Sequence, residues 1–244
     1  MMKKRFLLLG LIPLLILGCQ LSGTAQPASP TEVSVPADVP ETAAQTYPLG
    51  EGAYWVYQGT VRYEGGEESL QWRVEVTETI SKSNVTGYRM RGALSDLAFY
   101  APGRQPSEYA ILKVGSNRFY SADLEAYARL TDHEDIFLIG LVQEQNLFLE
   151  LPLVAGNRFC EAEQITRQDE SYCWVVGEPE SVTLDAAAGG DVQAYPLYYM
   201  TNPDQTVVYF SPGIGVVAFT YHHSGSASDV QMALIEYQPG EAAP

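Results

Sequence analysis

The sequence predicts a mainly β protein built on a curved, mostly antiparallel sheet. Three observations carry that prediction. Segments that alternate apolar and polar residues recur through residues 47–238, with a period of two and not of 3.6. Turn residues separate them at intervals too short for crossover helices, so neighbouring strands run antiparallel. Apolar residues make up 46% of the chain and aromatics 11%, which is the composition of a folding chain with ample core. The expected architecture is half-barrel-like, as one unit or as two similar halves, 47–150 and 151–238.

The elements follow in order. In 53–63 the large residues Trp55, Tyr57, Val61 and Tyr63 fall on one face, with Gly59 as the exception. Gly65-Gly66 marks a turn. Residues 70–80 then place Leu70, Trp72, Val74 and Val76 opposite Gln71, Arg73, Glu75 and Thr77, the cleanest alternation in the chain. The two segments form a hairpin, and 85–94, around Tyr88 and Met90, supplies a third strand. Residues 108–113 and 118–121 flank Gly115-Ser116-Asn117 as a second hairpin. Leu124, Tyr127 and Leu130 give 123–130 one or two helical turns. Residues 136–153 are apolar without a clear period and belong to the core.

Strands resume after that. Tyr172, Trp174 and Val176 share a face in 171–177, and 180–184 is a short strand. Residues 193–201 carry Tyr195, Tyr198 and Tyr199. Asn202-Pro203-Asp204 and Ser211-Pro212-Gly213 are turns between strands at 193–201, 206–210 and 215–222. Residues 230–237 close the domain, and 239–244 are a tail. Trp55, Trp72, Trp174 and Phe210 are expected to be largely buried, and the adjacent His222 and His223 to face opposite ways.

The N-terminus is an export signal. Lys3, Lys4 and Arg5 precede an apolar run over 6–18 that ends on the small residue Gly18. The run is shorter than the ~20 residues a spanning helix needs, and Pro13 interrupts it. Ile16-Leu17-Gly18-Cys19 closely resembles the lipobox of bacterial lipoproteins. That resemblance implies cleavage before Cys19, a thioether-linked diacylglycerol on Cys19 and a further acyl chain on the new N-terminus. Two or more acyl chains anchor a protein stably to a bilayer. Gln20 stands where Asp is the usual inner-membrane retention signal, so the expected address is extracytoplasmic, at the outer membrane if the organism has one and otherwise on the outer face of the cell membrane. Residues 19–46 contain Pro27, Pro30, Pro36 and Pro40 among Ala, Ser, Thr and Val, and no aromatic before the end of that stretch. They form a semi-rigid linker between anchor and domain.

Charge and cysteine usage fit that address. Loss of residues 1–18 removes Lys3, Lys4 and Arg5 and takes the formal charge from −16 to −19. Such acidity repels nucleic acid and anionic head groups. With Cys19 assigned to lipid, Cys160 and Cys173 remain, in a compartment where disulfides persist. A metal site would need further ligands at short spacing, and none flank these two. A disulfide is the expected state.

One motif occurs twice. Pro48-Leu49-Gly50-Glu51-Gly52-Ala53-Tyr54-Trp55 and Pro152-Leu153-Val154-Ala155-Gly156-Asn157-Arg158-Phe159 both spell Pro-Leu, two residues, Gly, two residues, a large aromatic. A repeat at this period suggests duplicated units. The motif, together with Tyr209-Phe210-Ser211-Pro212-Gly213-Ile214-Gly215-Val216-Val217, resembles a loose group of bacterial secreted or lipid-anchored proteins of unknown function. The resemblance covers most of 47–237 and implies a curved antiparallel sheet and no established activity. A more distant likeness, by architecture alone, is to the half-barrel of lipoprotein carriers.

No catalytic signature stands out. His222 and His223, adjacent on a strand, cannot chelate one metal together. Asp132-His133-Glu134-Asp135 is a solvated acidic loop with some capacity for a cation. There is no Gly-x-Ser-x-Gly elbow and no phosphate-binding glycine loop. The 16 tyrosines are assigned to the core and to strand faces. The expectation is a non-catalytic binding or structural module of the cell envelope, with no cofactor and no metal. Its partners are the bilayer, through Cys19, and an unidentified protein or apolar ligand. The alternatives are a carrier-like binder of an apolar or lipidic ligand, and an envelope enzyme with an unrecognised site. A cavity decides between them: deep and apolar for a lipidic ligand, polar and convergent for an enzyme.

Overall fold

A computed structural model describes residues 46–132, 146–160, 171–225 and 228–241. The first meander holds β1 (Tyr54–Tyr63), β2 (Gly66–Lys82), β3 (Val85–Arg91), β4 (Glu108–Val114), β5 (Arg118–Ala122) and β6 (Leu147–Glu150). The second holds β7 (Arg158–Phe159), β8 (Trp174–Val176), β9 (Glu180–Thr183), β10 (Asp191–Met200), β11 (Asp204–Ser211), β12 (Gly215–His223) and β13 (Asp229–Gln238). Within each meander strands pair antiparallel with their sequence neighbours, except that β8 and β9 both pair with β10. The chain then joins its own ends: β1 pairs antiparallel with β13 from Tyr54↔Gln238 to Arg62↔Asp229. The result is one mostly antiparallel sheet, β6-β5-β4-β3-β2-β1-β13-β12-β11-β10-β8-β7, curled into a nearly closed barrel. It therefore curls further than the half barrel of the sequence reading. The added closure comes from β1·β13, a pairing between the two ends of the domain.

The β1·β13 seam explains the odd residue in the first strand. An added Cβ on Gly59 would sit 1.8 Å from the carbonyl oxygen of Gln231. Glycine there lets the two backbones meet. Trp55, Tyr57 and Val61 alternate with it on the inner face and are buried, as are Val230, Met232 and Leu234 across the seam. On the outside, helix α1 (Leu124–Asp132) packs Ala126, Tyr127 and Leu130 over β3 and β4. Asp123 caps it, accepting a hydrogen bond from Ala126 N at 2.7 Å.

The two copies of the Pro-Leu motif make the same hydrogen bonds. Gly52 N donates to Val76 O at 3.1 Å, and Gly156 N donates to Val176 O at 2.8 Å. Ala53 N reaches Gly50 O, Asn157 N reaches Val154 O, both at 3.0 Å. Val76 N and Val176 N complete the pair by donating to Ala53 O and Asn157 O. Both glycines are left-handed, with φ of 79° and 86°. The register continues in step: Trp55↔Val74 matches Phe159↔Trp174, Val76↔Met90 matches Val176↔Leu197, and Ile80↔Gly87 matches Glu180↔Ala194. β8 and β9 together thus take the place of β2, and the break between them falls at Gly177, where β2 has its bulge between Val76 and Glu78.

Some expectations need correction. Trp55, Trp72 and Phe210 are buried, but Trp174 is only half-buried. Tyr172 does not share a strand face with Trp174: its φ of 62° puts it in a turn before β8, and it is exposed. Beyond Gln238, within the expected tail, Glu241 bridges to Glu51. At the other end Thr46 already belongs to the domain, because Gly213 N donates to its carbonyl at 2.7 Å. The expected signal peptide, the expected linker before Thr46, Cys19 and residues 133–135 lie outside the described residues.

Candidate functional site

The inner faces of the two meanders do not fill the barrel. Between them lies an apolar cavity of about 360 Å³, at the lower end of the ~300–1,000 Å³ typical of small-molecule sites. From the first meander Trp55, Tyr57, Val74, Ile111 and Leu149 line it, and from the second Leu197, Val208, Phe210, Val216 and Phe219. These are the inward positions of their strands. Val216 and Phe219 are three apart and still share the wall, because β12 carries one extra residue opposite Tyr209 and Phe210. The half-buried Trp174 sits in the same wall, with Tyr199 4.9 Å from it, centroid to centroid.

Tyr47, the residue just before the first Pro-Leu, is inserted between the meanders. Its ring meets Phe210 at 5.1 Å, Phe119 at 5.7 Å and Trp55 at 6.0 Å, all tilted or edge-on. Two hydrogen bonds hold β1 to the far wall: Trp55 Nε1 donates to Ile214 O at 2.6 Å and Tyr57 Oη to Val216 O at 2.9 Å. The Tyr47 and Tyr109 hydroxyls have no hydrogen-bond partner among the described residues, and both residues line the cavity. Burial pushes all three phenols well above the ordinary tyrosine value. Mutual repulsion adds to it, Tyr47 and Tyr109 acting on Tyr57, and Tyr47 and Asp96 on Tyr109.

A loop over 92–107 covers one end. Its base is closed by Gly92 N donating to Ser107 O at 2.8 Å, and Trp72 Nε1 holds Gly92 O at 3.0 Å. Within it Leu94–Phe99 form a 3-10 turn. Asp96, buried, pins the loop: it accepts from Arg104 Nη2 at 3.0 Å and from Ser107 N at 2.8 Å. Ala93, Leu94, Ser95 and Ser107 of this loop line the cavity.

The residues singled out in the sequence are distributed as follows. Cys160 and Cys173 form a disulfide with Cα atoms 4.5 Å apart, next to the Phe159↔Trp174 pair of the β7–β8 hairpin. Neither lines the cavity, although Cys173 adjoins the wall residue Trp174, and the bond ties down the short β7. His222 and His223 face opposite ways. His222 pairs with Asp229 on β13, and His223 Nδ1 lies 2.5 Å from Asp204 Oδ1 on β11. The same Asp204 oxygen accepts from Tyr221 Oη at 2.9 Å. Burial, and then Asp204, raise the Tyr221 phenol to about 12. Among the described residues no three His, Cys, Asp or Glu side chains gather in a metal-binding group. The cavity itself was not located by the sequence. Its tyrosines Tyr47, Tyr57 and Tyr109 do pack in or against the core, as expected of core and strand-face positions, but they also line a space that alternation does not reveal. The one signal for Tyr47 was its place directly before the repeated motif.

No family model matches the sequence, and no curated protein matches it. Two solved structures are similar to it. One is a Bacteroides fragilis protein described as exported with a YmcC-like fold, 11% identical, with a TM-score of 0.41 over 80% of this chain and 99% of that one. The other is a Parabacteroides distasonis protein described as a lipoprotein, 10% identical, with a TM-score of 0.41 over 81% of this chain and all of that one (100%).

Proposed function

We propose that this chain is a membrane-tethered protein of the cell envelope that binds an apolar ligand and does no chemistry on it. The observation that carries the reading is the cavity of about 360 Å³ between the two meanders, walled by aliphatic and aromatic side chains. A site of that kind gains affinity chiefly from apolar area, at ~0.8 kcal/mol for each methylene taken out of water. The reading favours the carrier-like alternative over plain contact with another protein. N-phenylnaphthylamine, which fluoresces in apolar surroundings, tests it directly. The domain is expected to bind the dye saturably with one site. Val208→Trp, which fills the cavity from β11, is expected to abolish binding while circular dichroism stays that of a β protein. Equal binding by wild type and Val208→Trp would defeat the reading.

The tether is a lipidated Cys19. Its support is the basic start, the apolar run and Ile16-Leu17-Gly18-Cys19. Gln20 and the 19–46 linker support a domain held off the outer membrane of a two-membrane cell, or off the outer face of a single membrane. Cys19→Ala is expected to release the domain from membranes or to leave the precursor uncleaved. Unchanged incorporation of radioactive fatty acid by the variant would refute the anchor.

A further inference from the structure

The cavity has a polar end, and its chemistry selects a class of ligand. Tyr109 and Ser121 line both the cavity and a neighbouring surface groove that also contains Glu108, Asp123 and Asn146. These two residues therefore mark the mouth. Ser107 lies two residues before Tyr109, in the covering loop, and its backbone N–H is held by Asp96. Ser95, next to Asp96, lines the same end. Tyr109 and three serines thus line the cavity beside the mouth, and the Tyr109 hydroxyl has no hydrogen-bond partner among the described residues. Each of these groups can both donate and accept.

The acidic groups around that end are already engaged. Asp96 of the covering loop is paired with Arg104 at 3.0 Å. Glu108 at the rim is paired with Arg89 at 2.8 Å. Asp123 is occupied with capping α1, and no salt bridge neutralises it among the described residues. The described walls of cavity and groove contain no Lys, Arg or His. A buried anion needs a paired cation or a dense set of donors, and these walls offer it no cation.

We propose that this mouth holds an uncharged, hydroxyl-bearing head group, so that the ligand is a neutral single-chain amphiphile of the monoacylglycerol type and not a fatty-acid anion. The assignment rests on the apolar-ligand reading above and adds the head group to it. The test is displacement of N-phenylnaphthylamine by monoacylglycerol and fatty acid of one chain length, monolauroylglycerol and laurate, at neutral pH, where the acid is ionised. Dodecyltrimethylammonium is the cationic control. Monolauroylglycerol is expected to compete at roughly tenfold lower concentration than laurate, the size of one good hydrogen bond or one unfavourable charge contact. The ratio is expected to fall about threefold in Tyr109→Phe, and in Ser107→Ala, which removes a hydroxyl without touching a buried ring. Laurate competing as well as monolauroylglycerol, or an unchanged ratio in both variants, would overturn the head-group assignment and leave the cavity reading standing. Strongest competition by the cation would overturn the choice of a neutral head. Failure of the dye to bind wild type would instead overturn the cavity reading.

Discussion

Alkali is expected to unfold this barrel earlier and more steeply than a protein with surface tyrosines. Tyr47, Tyr57 and Tyr109 all titrate well above the ordinary value in the folded state, burial being the main cause. In the unfolded chain each titrates near ~10. Above that pH the unfolded chain has released three protons that the folded chain still holds, so stability falls as pH rises. The contribution is fully present below about pH 10 and is lost on the way to the folded values. Each retained proton costs about 1.4 kcal/mol per pH unit once the unfolded phenol is ionised. By about pH 11.5 that amounts to about 2 kcal/mol for each phenol and about 6 kcal/mol for the three. A domain of ordinary stability has about 5–15 kcal/mol in total. The assay is the denaturant midpoint, read by tryptophan fluorescence, across about pH 9 to pH 11.5. Tyr109→Phe should flatten the slope by up to about a quarter, because Tyr221 and other raised phenols add linked protons to those of Tyr47, Tyr57 and Tyr109. A midpoint that does not move over this range would refute the reasoning. So would phenolate absorbance showing these tyrosines ionised in the folded protein near pH 10.

Two further predictions concern the frame around the cavity. Gly59→Ala forces a Cβ to within 1.8 Å of Gln231 O and is expected to destabilise by about 3 kcal/mol, as overpacking does. Gly52→Ala meets nothing within 4 Å and should cost only about 1 kcal/mol, for its left-handed backbone; equal losses in thermal unfolding would show that the seam is not tight. Cys160→Ser opens a disulfide that spans 13 residues and is expected to lower stability by roughly 3 kcal/mol in the chain-entropy model. A denaturant midpoint unchanged from the oxidised wild type would count against a structural role for the bond.

Period two was legible because each strand of the barrel has one apolar face. Trp72, Val74 and Val76 on β2 show it most plainly. The repeat was legible too, since Leu49 and Leu153 are both buried and Gly52 and Gly156 share one backbone conformation. Alternation misled at Tyr172, because a pattern of side chains does not report a positive φ. The cavity was not legible for a deeper reason. Alternation says which residues point inward, but the space left between them depends on how far the sheet curls and which distant strands meet. Here that is decided by β1 pairing with β13, a contact between opposite ends of the domain. Tyr109 and Tyr57 look alike in sequence. Only the closed sheet places the hydroxyl of Tyr57 on Val216 O and leaves that of Tyr109 at the mouth.

The same pairing sets a timetable for folding. A chain that emerges N-terminus first presents β1 early, with Trp55 and Tyr57 on one face and an unpaired edge on the side that β13 will occupy. β2 can cover the other edge within a hairpin, but β13 is among the last segments to arrive. Until then β1 is an open template of the kind that recruits strands from other chains. Contacts at such sequence separation form slowly. Under the proposed export, its yield is expected to respond to holding chaperones more strongly than its final stability would suggest.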